Sequence, residues 1–194
     1  VTGLRRIGKT TIIYQLIEEM LKDIEGKKVL YLSLDHPAFD KYTILDILKE
    51  YRTIHKLSIK EKVFLFFDEI HIKKDFEREL KVLYDIENVK IFASGSSSLV
   101  IKHKGSFLVG RYKKILVEPL NFDEFLEFKN IDVKKSETYL FDRYLEDYLK
   151  IGGIPEYVLK NNPEYILDLV DGIIYKDVVG RYGIKNPDTV KKLF

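Results

Sequence analysis

Apolar residues recur along this chain in two rhythms. Ile12, Ile13, Leu16, Ile17, Met20 and Leu21 return at steps of three and four, the spacing of one helix face. Gly26 ends that helix. Lys28–Leu34 (KVLYLSL) predicts a buried strand. Tyr42–His55 predicts a second helix, with Ile44, Leu45, Ile47, Leu48 and Tyr51 as its apolar face. Val63-Phe64-Leu65-Phe66-Phe67 is apolar without a break, as in a central parallel strand covered on both faces. Val89–Ser94 and Lys113–Val117 predict further strands. Beyond them the rhythm is helical. Phe122, Phe125, Leu126 and Phe128 follow Pro119-Leu120-Asn121 as an amphipathic stripe, more often core than a binding surface. Ser136–Lys150 places Tyr139, Leu140, Tyr144, Leu145, Tyr148 and Leu149 inside. Gly152-Gly153-Ile154-Pro155 breaks the chain, and Pro155 suits the first turn of the next helix. Tyr165–Val179 predicts another helix, Gly180-Arg181-Tyr182-Gly183 ends it, and Pro187-Asp188 opens one more.

Composition narrows the class. The 194 residues fit one domain, or one domain with a small appendage. Hydrophobic residues at 45% and charged residues at 33% describe a globular chain. The absence of cysteine excludes a disulfide framework, a cysteine nucleophile and thiolate metal sites. His36, His55, His71 and His103 share no short metal-ligand spacing. Thirty-three basic and 31 acidic residues leave a net charge of +2, which by itself points to neither nucleic acid nor membrane. No apolar run reaches the roughly eighteen residues of a membrane span, and no secretory signal stands here. The sequence reads as a cytoplasmic protein.

The strongest chemical signal is at residues 3–10. Gly3-Leu4-Arg5-Arg6-Ile7-Gly8-Lys9-Thr10 fits G-x-x-x-x-G-K-[S/T] in full, and Thr11 follows. Glycines let the backbone wrap a phosphate, and successive amides converge on it. Lys9 supplies a charge for the β- and γ-phosphates, and the Thr10 hydroxyl is placed for Mg²⁺. The helix that must follow, with its N-terminus toward the phosphates, is the one read above. A strand should precede the loop, and only Val1 and Thr2 stand before Gly3; the chain is expected to open at that strand's end.

The apolar run 63–67 ends in Asp68-Glu69. After a phosphate loop, an acid at this strand end faces the phosphates. Asp68 is expected to hold Mg²⁺, directly or through water, and Glu69 to act as general base toward a water. One strand later, Ser94 and Ser96 are candidates for touching the γ-phosphate or orienting that water, while Ser96 or Ser97 serves equally as a helix cap. Lys102-His103-Lys104-Gly105-Ser106 reads first as a solvated basic loop. Arg111, ahead of the fifth strand, is expected near the phosphate end of the sheet edge; it is either an arginine finger for a neighbour's nucleotide or a local salt-bridge partner.

The combination GLRRIGKTT, FLFFDEIH, ASGSSS, LVGRYKKILVEPLNFDEFLEF, IGGIPEY and IIYKDVVGRYGI resembles archaeal and bacterial AAA+-type P-loop ATPases, in particular a group with a double arginine in the phosphate loop and a C-terminal domain of obscure role. The resemblance runs from Gly3 to the chain end. It implies an α/β fold with a five-stranded parallel sheet, order 5-1-4-3-2, over residues 1–118. A small helical lid would span 119–172, and a winged-helix-like region would begin at 173–194. It implies ATP and Mg²⁺ as cofactors and nucleotide binding by Gly3, Gly8, Lys9, Thr10 and Thr11. It also implies Mg²⁺ positioning by Asp68, water activation by Glu69, γ-phosphate sensing around Ser94 and Ser96, and a homo-oligomer completed by Arg111. Gly152 and Gly153 either pack the lid or form a tight interhelix turn. His71 departs from the pattern, since relatives often have glutamine there. Three activities stay open: ATP hydrolysis, a slow nucleotide-dependent switch, and a motor on DNA.

Overall fold

The computed structural model describes residues 1–96, 107–108, 110–133, 138–179 and 184. The cap role of Ser97, the basic loop 102–106 and the turns at 180–183 and 187–188 lie outside the described residues. The chain divides into two compact units, one of Val1–Gly3 with Lys9–Val117, the other of Leu4–Gly8 with Glu118–Phe194.

The first unit is α/β. Its strands are β1 (Thr2–Gly3), β2 (Val29–Ser33), β3 (Val63–Asp68), β4 (Val89–Ala93), β5 (Gly95–Ser96) and β6 (Leu116–Val117). Its helices are α1 (Lys9–Met20), α2 (Ile44–Ile54) and α3 (Phe76–Ile86). The strands pair in parallel, in the orders β2-β3-β4 and β5-β1-β6. Parallel neighbours need helical crossovers, and α2 and α3 supply them between β2, β3 and β4.

The register explains the apolar run. Leu30, Leu65 and Ile91 lie in one row, and Tyr31, Phe66 and Phe92 in the next. The first row faces a core shared with Ile44 and Leu48 of α2 and Leu80 and Leu83 of α3. On the other face Phe66 stacks on Phe92 at 4.6 Å, and Tyr31 meets Tyr14 of α1 at 5.1 Å. With both faces covered, β3 has no position left for a polar residue until Asp68. Each large apolar side chain buried there contributes about 1.5–3 kcal/mol.

Three local differences from the sequence-based expectation have physical causes. The helix expected from Tyr42 starts at Ile44, because Thr43 and Asp46 form a reciprocal capping box. Helix α3 has no counterpart in that expectation, although Phe76, Leu80 and Leu83 hold its inner face; the Glu79 carboxylate accepts from the Ile44 amide at 2.5 Å. The strand expected over Val89–Ser94 changes partner at Ser94. The Ser94 amide donates to the Phe67 carbonyl at 2.8 Å, whereas the Gly95 amide donates to the Val1 carbonyl at 3.1 Å.

The second unit holds α4 (Phe122–Phe128), α5 (Thr138–Ile151), α6 (Pro155–Lys160) and α7 (Pro163–Gly172). Asn121 and Glu124 cap α4 reciprocally. Phe125 is fully buried with Leu120 and Val158, and Phe122 and Tyr148 pack around them. Gly152 and Gly153 form a tight turn between α5 and α6. Gly152 has φ +76°, and a Cβ on Gly153 would stand 2.3 Å from the Leu120 carbonyl oxygen. The single helix expected over Tyr165–Val179 is α-helical to Gly172 and a π-helix over Ile173–Val179. Gly172, a poor helix former, stands at the change.

A buried ion pair ties down the end of the first unit's sheet where β3 and β4 begin. Arg52 Nε lies 3.1 Å from Glu87 Oε2, with both side chains buried. The guanidinium also donates to the Ser58 and Glu61 carbonyls, at 2.7 and 3.1 Å. Arg52→Ala leaves Glu87 buried without its cation, so the first unit is expected to lose about 3–5 kcal/mol. Urea unfolding checks this, and a loss below about 1 kcal/mol would show the pair to be dispensable.

Candidate functional site

The site begins where β1 ends at Gly3 and α1 starts at Lys9. Between them, Arg6 (φ +57°) and Gly8 (φ +93°) adopt left-handed backbone. Nothing lies within 4 Å of a Cβ placed on Gly8, so glycine is required there for its backbone angle and not for space. Lys9 is 7% exposed, and its ammonium donates to the Gly3 carbonyl at 3.2 Å. The lysine therefore reaches back to the start of the loop. Leu4 and Thr11 are exposed, Arg5 is half-buried and Ile7 is buried. Within the second unit, Arg6 lies 3.6 Å from Glu156 and 4.9 Å from the centre of the Tyr165 ring.

Asp68 is the centre of the site. It closes β3 and is 4% exposed. Its Oδ2 accepts from the Thr10 hydroxyl at 2.6 Å and from the Tyr31 hydroxyl at 3.3 Å. Its Oδ1 accepts from the Ser94 hydroxyl and from the Glu69 amide, the latter at 3.1 Å. Ser94 is fully buried, and its carbonyl accepts from the Ile70 amide at 3.0 Å. Glu69 is left-handed, with φ +51°. Its Oε2 lies 3.1 Å from His71 Nδ1, the distance of an ion pair when the imidazole is protonated. Burial first, then the Tyr14 hydrogen bond and the charge of Asp68, push the Tyr31 hydroxyl above its ordinary value. Tyr31 thus remains a protonated donor throughout the neutral range.

Thr10 and Asp68 offer two hard oxygens side by side, the donor chemistry Mg²⁺ selects. Among the described residues no group of three or more His, Asp or Glu could hold a metal alone. The donor set therefore fits an ion that arrives with phosphate oxygens and keeps waters, the usual Mg²⁺ arrangement.

The structure gathers Lys9, Thr10, Asp68, Glu69 and Ser94 as one cluster. Ser96 pairs with Gly3 across β5 and β1. Arg111 lies elsewhere. Its Nε is 3.8 Å from Asp85 Oδ1, in the last turn of α3 before β4 begins. That end of the sheet is on the order of 15 Å, one strand length, from the phosphate end where it was expected. The cause is direction: the residue precedes a parallel strand and so stands at the strands' starts. Two site residues have no place in the sequence-based expectation, Tyr31 and Tyr14, whose hydroxyls lie 3.1 Å apart. A signal for Tyr31 existed. It stands two residues before Ser33, on the same strand face, and Ser33 pairs with Asp68.

Comparison with known proteins gives a matching context. A family model described as an AAA domain matches residues 1–126. Two uncharacterized proteins of Methanocaldococcus jannaschii are similar to the chain. One is 37% identical over 200 residues, covering 98% of the chain and 44% of the relative. The other is 31% identical over 218 residues, covering 98% and 46%. An uncharacterized protein of Haemophilus influenzae is 29% identical over 200 residues, covering 100% and 49%. The chain thus spans about half the length of these relatives.

Ser94→Ala removes one donor from a buried carboxylate. The expected cost is about 1–3 kcal/mol of stability, read as a lowered midpoint in urea without nucleotide; an unchanged midpoint would show that Asp68 does not depend on this hydroxyl.

Proposed function

The chain belongs to the AAA domain family, and from that premise we propose that it binds ATP with Mg²⁺ and hydrolyses it. The observation that carries the reading is the 2.6 Å hydrogen bond from Thr10 to Asp68, which joins the end of the phosphate loop to the end of β3. In this reading the segment from Gly3 to Thr11 cradles the phosphates, and Lys9 neutralises the β- and γ-phosphates. Thr10 and Asp68 hold Mg²⁺, which when bound offsets the charge of the phosphate oxygens. Glu69 takes a proton from water as its oxygen attacks the γ-phosphorus. The bond to the β-phosphate oxygen breaks, and ADP leaves with the electron pair. Ser94 and Ser96 would serve as positioning groups for the γ-phosphate.

The same premise extends to the architecture. We take β4 and β5 as one strand kinked at Ser94, which would join both strand sets into one sheet of order 5-1-4-3-2. The consecutive amides of Ser94 and Gly95 support it, since they donate to strands on either side. Residues 1–118 would form the ATPase core, 119–172 a helical lid and 173–194 the start of a C-terminal region. No helix among the described residues is long and apolar enough to cross a membrane, and a cytoplasmic setting is part of the proposal. Arg111, beside Asp85 at the end of the sheet where the strands begin, would act only on a neighbour's nucleotide in a homo-oligomer.

One observation favours the second reading, a slow nucleotide-dependent switch. Glu69 Oε2 lies 3.1 Å from His71 Nδ1, and a protonated imidazole there would compete with a water for this oxygen. Phosphate release with and without DNA separates hydrolysis, switch and DNA-stimulated motor. Glu69→Gln is expected to keep ATP affinity within about twofold and lower turnover by roughly 10²–10⁴; unchanged turnover would sink the role of Glu69. Arg111→Ala is expected to abolish any rise of specific activity with protein concentration, and a rise that persists would remove Arg111 as the finger.

A further inference from the structure

Among the described residues, the Tyr31 hydroxyl is the one donor to Asp68 that neither the phosphate loop nor the adjoining strand ends supply. It reaches the same oxygen, Oδ2, that Thr10 reaches. The other oxygen, Oδ1, is already set by Ser94 and the Glu69 amide. Thr10 is assigned to the ion in the Mg²⁺–ATP reading, so Tyr31 is the donor that would still keep Oδ2 from rocking about the Cβ–Cγ bond once the Thr10 oxygen turns to the metal. Tyr31 is itself placed from two directions. The β2-β3 register pairs Tyr31 with Phe66, two residues before Asp68. The Tyr14 hydroxyl of α1 donates to the Tyr31 hydroxyl at 3.1 Å, and the two rings are 5.1 Å apart.

We propose that Tyr31 is a positioning residue for the metal site, orienting Asp68 Oδ2 toward the ion that accompanies the nucleotide, with Tyr14 holding Tyr31 in turn. The proposal rests on the Mg²⁺–ATP reading of the site and deepens it. A hydrogen bond to a ligating carboxylate fixes its direction, and loss of such an outer partner commonly weakens metal binding 10–100-fold. A phenol suits this position because it gives one directed proton and adds no charge that would oppose the cation.

The test is binding of a fluorescent ATP analogue to the full chain across a Mg²⁺ titration, with Tyr31→Phe, Tyr14→Phe and Asp68→Asn beside the wild type. Tyr31→Phe removes the hydroxyl and keeps the ring against Tyr14. It is expected to raise the Mg²⁺ concentration at half effect about tenfold, with binding in EDTA within about twofold of wild type. Tyr14→Phe is expected to move the midpoint in the same direction by less. A Tyr31→Phe midpoint equal to wild type, in a protein whose binding does depend on Mg²⁺, overturns the proposal alone. An equal loss of affinity with Mg²⁺ and in EDTA also overturns it, because a merely structural tyrosine behaves that way. If wild-type binding ignores Mg²⁺, and Asp68→Asn changes nothing, the underlying reading of the site falls as well.

Discussion

A carboxylate that is 4% exposed must be hydrogen-bonded, because burying it without partners costs several kcal/mol. Asp68 meets that demand with donors from separate parts of the chain: Thr10 from α1, Tyr31 from β2, Ser94 from the end of β4 and the Glu69 amide from the turn beyond β3. None of these groups is near another in sequence except Asp68 and Glu69. The acid therefore acts as a template for the sheet end. Only one register between β2, β3 and β4 brings all the donors within reach, and a slip by one residue would send Tyr31 to the opposite face.

The opposite end of the sheet solves the same problem with the signs exchanged. There the buried group is the Arg52 guanidinium, held by Glu87 and by the Ser58 and Glu61 carbonyls. It joins the end of α2 to the segments leading into β3 and β4. Between these two polar anchors, β3 is apolar on both faces. Hydrophobic burial drives the layers together, whereas the anchors select the register. An apolar sheet end would lack that selection, since Leu, Phe and Val rows pack acceptably after small shifts.

Legibility in the sequence tracks how local the cause is. The phosphate loop can be read because its chemistry needs fixed residue types at fixed spacing. Strand β3 can be read because covering on both faces leaves an unbroken apolar run. The start of α2 lies in Thr43-x-x-Asp46, a local capping signal. Helix α3 is equally readable from Phe76, Leu80 and Leu83, yet it follows Lys73-Lys74-Asp75, which draws the eye toward a loop. Tyr31 reads as one more apolar strand position, because its hydroxyl finds Asp68 only through the β2-β3 register. Arg52 reads as a polar helix residue for the same reason. Arg111 is expected at the wrong end because the strand's direction, and not its sequence, decides which end a preceding residue occupies. The kink at Ser94 depends on two strands competing for successive amides, and no local pattern encodes that.

Two of the six left-handed non-glycine residues among those described belong to the candidate site. Arg6 and Glu69 are both non-glycine residues in left-handed conformation, each costing on the order of 1 kcal/mol or more. At Glu69 the reason is visible. The left-handed turn directs its amide back to Asp68 Oδ1 and lets the next amide, of Ile70, reach the Ser94 carbonyl. A right-handed or extended residue there would carry the chain past Ser94 and leave Oδ1 with one donor fewer. Glycine would adopt the angle more cheaply but would supply no carboxylate beside His71. The position thus keeps a strained glutamate because the backbone serves one acid while the side chain offers another. That division of labour within a single residue links the fold's central constraint to the chemistry proposed for the site.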